Sequence, residues 1–294
     1  MVKVLILRAP GINCDVETRF AFQSAGADRV DVFHINRLLE SPAILSDYQI
    51  LCLPGGFSYG DDIDAGKVFA SKLSRNLGDV CRSFCDAGKL VLGICNGFQV
   101  LLKSGLLLCQ SCFEIHGAEH GSAASRSVCS GAKPIAHTGC GIFDDVVDGS
   151  LATLAWNEPS AVFVDRWVHL RAGDSDCVFL RGIRELYLPI AHGEGRFVPS
   201  GESVLSTLED AGQLALRYVE GDNPNGSVLG VAGVCDRSGR IFGLMPHPER
   251  FLNIFQHPYW TRIVGKEQRN KKDNDNDLKG DGFKIFQNAV SYFL

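Results

Sequence analysis

The amino-acid sequence predicts an α/β domain in which a mostly parallel central sheet is covered by helices on both faces, with extra β-strands in the second half. Three observations point there. As far as Lys103, short apolar runs alternate with helix-period segments; those runs are continuous rather than alternating; and strand patterning without intervening helices returns beyond Ser160. Strands separated by helices need crossover connections, which make neighbours parallel, and a strand buried on both faces reads as an unbroken apolar run.

The elements follow in order. VKVLIL opens as a strand, then a polar turn leads to a helix from Glu17 to Ala25. RVDVFHI is the second strand, a helical stretch follows, and QILCLPGG is the third. A helix from about Ala65 to Ala87 precedes the strand KLVLGI, and another from Asn96 to Lys103 follows it. From Leu108 to Asp148, Ser, Ala, Gly and Cys accumulate without periodicity, which predicts an insertion or long surface loop. Strands return in SAVFVDRWVHL, DCVFLRGI, LYLPIAHGEG, QLALRYVE and SVLGVAGVCD, the last joined through a turn at Asp236 to Gly239 to RIFGLMP. The polar run from Lys266 to Gly282 is expected to be a mobile charged loop before the closing helix FKIFQNAVSYFL. All 294 residues are read as one domain.

Composition narrows the function classes. A chain with 45% hydrophobic residues can bury the core of a domain this size. The net charge of -5, with both signs interspersed, lacks the basic footprint of nucleic-acid binding and suits small neutral or zwitterionic substrates. No run reaches the roughly 18 to 20 apolar residues of a spanning helix, and the opening MVKVLILRAPG carries no signal-peptide cleavage pattern, so a cytoplasmic protein is expected. The eleven cysteines, an odd number set mostly in apolar segments, read as reduced thiols.

The strongest local motif is LVLGICNGFQVLL, where a buried strand ends in Gly93-Ile94-Cys95-Asn96-Gly97 and a helix begins. A nucleophile on a sharp strand-to-helix turn needs flanking glycines, because side chains there would collide with the turn. A sulfur placed over a helix N-terminus is also favoured as the anion. A buried strand-end cysteine with incidental glycines is the plain alternative. Against it, LCLPGGFSYGDD ends an adjacent predicted strand in a Gly55-Gly56 turn, whose backbone N–H, with that of Asn96, can form an oxyanion hole. Among eight histidines, His247 in LMPHPER stands out as the base: prolines on both sides stiffen the backbone just after an apolar strand, and Glu249 two residues on can orient the ring.

These residues carry a resemblance. GICNGFQVLL with a distant MPHPER is similar to the class I (triad) glutamine amidotransferases, a family with a flavodoxin-like fold. PGGFSYGDDIDAGKVFA, AHGEGRF, DNPNGS, VAGVCDRSGRIFGLMPHPER and the opening APGINCDVETRFAFQSAGA narrow the resemblance to glutaminase components of phosphoribosylformylglycinamidine synthase. The resemblance implies that Cys95 attacks the glutamine amide, that His247 carries the proton to departing ammonia, and that Glu249 orients His247. It also implies that the N–H groups of Gly56 and Asn96 hold the oxyanion. Gln99 matches a glutamine that borders the substrate in the wider class; His192 and Glu194 fall in a block near the family's glutamine pocket; Arg166 is a candidate for the substrate α-carboxylate, or a surface ion-pair residue.

The family's larger activity is ATP-dependent, and this chain is too short to hold the synthetase. Gly60 to Lys67 has five residues between its glycines, one too many for a P-loop, and Val68 stands where a Ser or Thr would meet magnesium. No cofactor is therefore expected on this chain; ATP and magnesium belong to a large synthetase subunit, with a small bridging subunit as a further implied partner. Leu108 to Asp148 departs from the family pattern. It contains Cys109, Cys112, His116 and His120, a spacing that superficially resembles a zinc site but lacks a second knuckle, and no metal is expected. Two other functions compete: a stand-alone thiol hydrolase of glutamyl or acyl substrates, and a non-catalytic scaffold subunit, which would have been free to lose Cys95, His247 or Glu249.

Overall fold

A computed structural model of the chain describes residues 1–108, 151–262 and 278–294. The half that ends in Cys95 and the helix after it is built as expected: β1 (Lys3–Arg8), α1 (Asp15–Ser24), β2 (Arg29–His34), α2 (Ile35–Glu40), β3 (Ile50–Leu53), α3 (Lys67–Asp86), β4 (Leu90–Ile94) and α4 (Asn96–Lys103). Then come β5 (Ala152–Trp156), β6 (Val164–Ala172), β7 (Glu185–His192), β8 (Glu194–Pro199), α5 (Glu202–Asp210), β9 (Leu216–Tyr218), β10 (Val231–Cys235), β11 (Ile241–Leu244) and α6 (Phe283–Ser291).

Among the described residues, nine strands form one sheet in the order β2-β1-β3-β4-β11-β10-β9-β6-β7, and β5 pairs with β8 in a second, two-stranded sheet. The run from β2 to β11 is parallel; β10, β9, β6 and β7 extend it antiparallel. In β3, β4 and β11 every residue is buried, and since successive side chains point to opposite faces, both faces are covered there. One cover contains α1 and α6, joined by the edge-to-face pair Phe22 and Phe286 at 4.9 Å; the other contains α3 packed with α4. α4 lies so close to the sheet that a Cβ on Gly97 would stand 1.9 Å from the Leu53 carbonyl oxygen, so only glycine lets the helix seat.

Several expectations differ from the structure in instructive ways. DCVFLRGI is not a strand: Val178–Leu180 make a 3-10 turn, buried as a continuous cluster and capped when Asn288 of α6 donates to the carbonyls of Phe179 and Arg181. Helix α5 and strands β5 and β8 were not foreseen as separate elements. The loop expected to stay mobile through Gly282 is pinned from Lys279 onward. Lys279 bridges to Asn253, the N–H groups of Gly280 and Gly282 donate to Leu252 and Phe251, and Asp281 accepts the Tyr187 N–H. Of these bonds the one from Tyr187 lies on β7, the last strand of the sheet among the described residues. Most of the Leu108–Asp148 segment, with Cys109, Cys112, His116 and His120, and most of the charged run lie outside the described residues. Cys81 and Cys85 are core thiols of α3, pushed up to about 12 by burial.

Candidate active site

Four parallel strands end on one edge of the sheet, and that assembles the site. Because β1, β3, β4 and β11 run in the same direction, the loops leaving Arg8, Leu53, Ile94 and Leu244 open side by side. The adjacency of β4 and β11, paired Ile94 with Leu244, brings Cys95 and His247 together across 152 positions of chain.

Cys95 sits between β4 and α4 with φ 52° and ψ −109°, a backbone that costs a non-glycine residue on the order of 1–3 kcal/mol and persists only where its surroundings enforce it. They do: its N–H donates to Leu244 at 2.8 Å, and its carbonyl accepts the N–H groups of Phe98 and Gln99. The turn thus presents the side chain outward from the sheet end, in the strand–turn–helix geometry the glycines predicted.

His247 is fixed by its own N–H, which donates to Pro189 at 2.8 Å. Its Nδ1 lies 2.6 Å from Glu249 Oε1, and both side chains are buried. A carboxylate oxygen only accepts, so Nδ1 carries the proton and Nε2 is left for the thiol. Cys95 acts on this imidazole as a side-chain partner, yet Nε2 makes no hydrogen bond of full geometry among the described residues. Resting catalytic pairs commonly stay loose until substrate tightens them. Burial opposes charge on His247, but the negative charge of Glu249, then that of Cys95, with contacts to Cys14 and Cys95, outweighs it and holds the imidazole protonated well above the ordinary histidine range.

The oxyanion candidates stand on either side of the elbow. Gly56 has φ +143°, and a Cβ there would come 2.7 Å from Ile12 Cα, so the turn can only be glycine. Asn96 is the first residue of α4, where the backbone N–H has no partner within the helix. Its side chain ties the two parts together: Oδ1 accepts the Ser58 N–H at 3.2 Å, and Nδ2 donates to Asp61 and to Gln99 at 3.2 and 2.9 Å. A Cβ on Gly55 would meet His247 Cε1 at 2.8 Å, Cys14 Sγ at 3.2 Å and Cys95 Cβ at 3.4 Å, which marks where these side chains converge.

The remaining sequence candidates fall in different places. Gln99 is buried with its amide engaged at both ends: Oε1 accepts from Asn96, and Nε2 donates to the Glu194 carbonyl at 2.6 Å, fastening the β7–β8 turn to α4. His192 is buried with Nδ1 3.1 Å from Asn157 Oδ1. Asn157 Nδ2 donates to the carbonyls of Val162 and His192, so its Oδ1 accepts, His192 Nδ1 donates, and Nε2 is a buried acceptor without a partner among the described residues. Burial, then the charge of His247, lowers the proton affinity of His192 to about 3. The Glu194 carboxyl faces Lys103 and Asp64, and burial raises it. Arg166 is exposed on β6 and donates to the Asp222 carbonyl at 2.7 Å.

Cys14, Arg250, Asn157 and Tyr218 were not singled out from sequence. Cys14 follows β1, so the strand-end rule already applied to β3 and β4 would have found it. Arg250 ends the MPHPER block. Asn157 and Tyr218 had no signal, because their proximity to the site depends on how the antiparallel strands fold back. Burial, then the charge of Cys95, raises the Tyr218 phenol. Cys14, His247 and Glu249 offer a thiol, an imidazole and a carboxylate within 4.8 Å of one another, a donor set suited to zinc. The Arg250 guanidinium 3.2 Å from the Cys14 sulfur opposes a dication there, and Nδ1 of His247 is committed to Glu249.

The model of the CobB/CobQ-like glutamine amidotransferase domain matches residues 1–293. The chain is 40% identical to phosphoribosylformylglycinamidine synthase subunit PurQ of Dehalococcoides mccartyi, covering 99% of this chain and 97% of that one. It is 38% identical to the subunit of the same name in Methanococcus maripaludis, with the same coverage. Among solved structures, it superposes on a chain of PurLQS from Thermotoga maritima with a TM-score of 0.63 at 27% identity, covering 100% of this chain and 99% of that chain. On a Trypanosoma brucei CTPS glutaminase domain with bound acivicin the TM-score is 0.51 at 12% identity, a likeness of fold. A match across nearly every residue, joined to a strand-end cysteine with its buried His–Glu pair, makes this chain a member of the CobB/CobQ-like glutamine amidotransferase family.

Proposed function

We propose that the chain is the glutaminase subunit of phosphoribosylformylglycinamidine synthase: it hydrolyses glutamine and delivers ammonia to an ATP-dependent synthetase subunit that converts formylglycinamide ribonucleotide to formylglycinamidine ribonucleotide in purine synthesis. The observation that carries the chemistry is the 2.6 Å contact between His247 Nδ1 and Glu249 beside the strained Cys95 elbow. Relatives of matching length that are named as subunits of phosphoribosylformylglycinamidine synthase support the choice of that synthase.

In this reading Cys95 Sγ attacks the side-chain carbonyl carbon of glutamine, and the developing oxyanion accepts from the N–H groups of Gly56 and Asn96. The C–N bond then breaks as His247 Nε2 donates a proton to the departing nitrogen, leaving ammonia and a γ-glutamyl thioester on Cys95. Water, deprotonated by the same Nε2, attacks the thioester; glutamate leaves and the thiol is restored. Glu249 holds the ring and stabilises the imidazolium. His192 Nε2 is a buried acceptor suited to an N–H of the amide or of ammonia. Gln99 and Glu194 shape the pocket wall through their mutual bond, and Arg166 is the candidate for the α-carboxylate.

ATP and magnesium belong to the large synthetase subunit, and a small bridging subunit completes the assembly. The glycine-rich stretch from Gly60 supports this: the Asp61 carboxylate accepts the Gly66 N–H that a phosphate would need. A cytoplasmic location fits an enzyme with no helix, among the described residues, long and apolar enough to cross a membrane. The test is Cys95→Ala in the assembled synthetase. Glutamine-dependent activity is expected to vanish while free ammonia still supports the reaction; glutaminase turnover retained by that variant would overturn the assignment.

A further inference from the structure

One buried nucleophile lies against the triad without a part in the steps above. Cys14 is wholly buried in the loop between β1 and α1, with its sulfur 4.0 Å from His247 Nδ1. Its position is over-determined by backbone bonds. The Cys14 N–H donates to Gly55 at 3.2 Å, and its carbonyl accepts both the N–H and the hydroxyl of Thr18. The sulfur accepts from Arg250 Nη2 at 3.2 Å, and its thiol can donate to Asn13 Oδ1 at 3.3 Å.

What lies on each side of this sulfur decides its role. Arg250 is on the same 3-10 turn as Glu249, and its N–H donates to the His247 carbonyl. The guanidinium therefore hangs from the backbone that carries the triad carboxylate. Oε2 of Glu249 is buried and has no hydrogen-bond partner among the described residues, which makes it an open acceptor for any donor that can reach it. A planar guanidinium and a free carboxylate oxygen in a low-dielectric pocket form a strong pair, and such a pair would tie up the negative charge that holds the His247 proton. Arg250 instead bonds to the Cys14 sulfur, with the partly exposed Glu17 4.0 Å beyond.

We infer that Cys14 is a positioning residue: its sulfur holds the Arg250 guanidinium off the free Glu249 Oε2 and lies 4.0 Å from His247 Nδ1, so that no hydrogen-bonded cation competes with the imidazole for the carboxylate. This rests on the glutaminase reading above. The charged and titratable groups facing His247 are Glu249 and Arg250 on its own turn, Cys95 from the elbow, Cys14 from the β1 loop and His192 from β7, with Cys52 of β3 beside Glu249. Of these, only Arg250 is a permanent cation within reach of the carboxylate.

The test compares glutaminase pH profiles of the wild type, Cys14→Ala, Cys14→Ser and the double variant Cys14→Ala with Arg250→Met, each in the assembled synthetase. Once released, Arg250 pairs with Glu249, the imidazolium gives up its proton more readily, and the alkaline limb of kcat/KM moves to lower pH. A shift of about one unit, with kcat about tenfold lower and KM for glutamine little changed, is expected of Cys14→Ala. Serine, which keeps an acceptor at the position, should restore most of the limb, and removing the guanidinium in the double variant should restore it as well. A limb that stays in place in Cys14→Ala, or a double variant no better than the single, would overturn the inference in favour of simple packing. A wild type that turns over no glutamine would instead defeat the glutaminase reading, so the two failures are distinct.

Discussion

His192 shows how one side chain links the site to the pH dependence of the whole fold. Its proton affinity falls to about 3 in the folded chain, through burial and then the charge of His247, against 6.5 for an ordinary histidine. A group whose folded value is depressed stabilises the fold fully above its unfolded value, and that contribution is lost as pH falls from about 6.5 toward 3. Near pH 5 the cost is about 2 kcal/mol. His192→Asn, whose amide nitrogen takes the place of Nδ1 and can still donate to Asn157, should flatten the fall in denaturation free energy between pH 7 and pH 4; an unchanged slope would place the acid sensitivity elsewhere. The triad residues separate by role. On the proposed glutaminase mechanism, His247→Ala should be nearly as damaging as Cys95→Ala, since either would remove one of the proposed reacting pair, whereas Glu249→Ala should leave on the order of a hundredfold more turnover, because it would remove orientation and charge but not the proposed base. Equal losses in single-turnover glutamine hydrolysis would show that Glu249 does more than orient. Cys95, His247 and Glu249 were legible in sequence because glycines and prolines mark the turns that hold them. The strand-end position of Cys14 was legible too, but its contacts with His247 and Arg250 were not, since those partners lie more than two hundred positions away.

At the scale of elements, the nucleophile turn depends on how closely α4 approaches the strands beneath it. A methyl group on Gly97 would stand 1.9 Å from a backbone oxygen of β3, which has no side chain to move aside. Gly97→Ala should therefore destabilise the protein by about 3 kcal/mol or more and tilt α4 enough to lose glutaminase activity, measurable by urea denaturation and by turnover. A stable, active Gly97→Ala variant would mean that the helix can slide without disturbing Cys95. Helices α1, α3 and α4 were read to within two residues at each end, because apolar periodicity and strand alternation act locally. The 3-10 turn at Val178–Leu180 was misread as a strand because a short apolar run fits either; only its caps from Asn288 decide. Strand β8 was merged with β7, since nothing local shows that the chain leaves the large sheet between His192 and Glu194.

At the scale of the molecule, the C-terminal segment closes the fold. Phe286 of α6 is wholly buried against Phe22 of α1, while Asp281 accepts the Tyr187 N–H of β7. Phe286→Ala should cost about 3–5 kcal/mol in chemical denaturation. A loss below 1 kcal/mol would mean that α6 is a dispensable appendage. The sequence by itself determined the parallel half, the sharp turn at Cys95 and the identity of the His–Glu pair, because each rests on interactions within a few residues of chain. Tertiary structure alone decided that β11 inserts beside β4, that four strand ends share one edge, and that Cys14 and Arg250 meet behind His247. Those choices come from burying apolar strands together, which is non-directional, and a short sequence window carries no record of which distant partner wins.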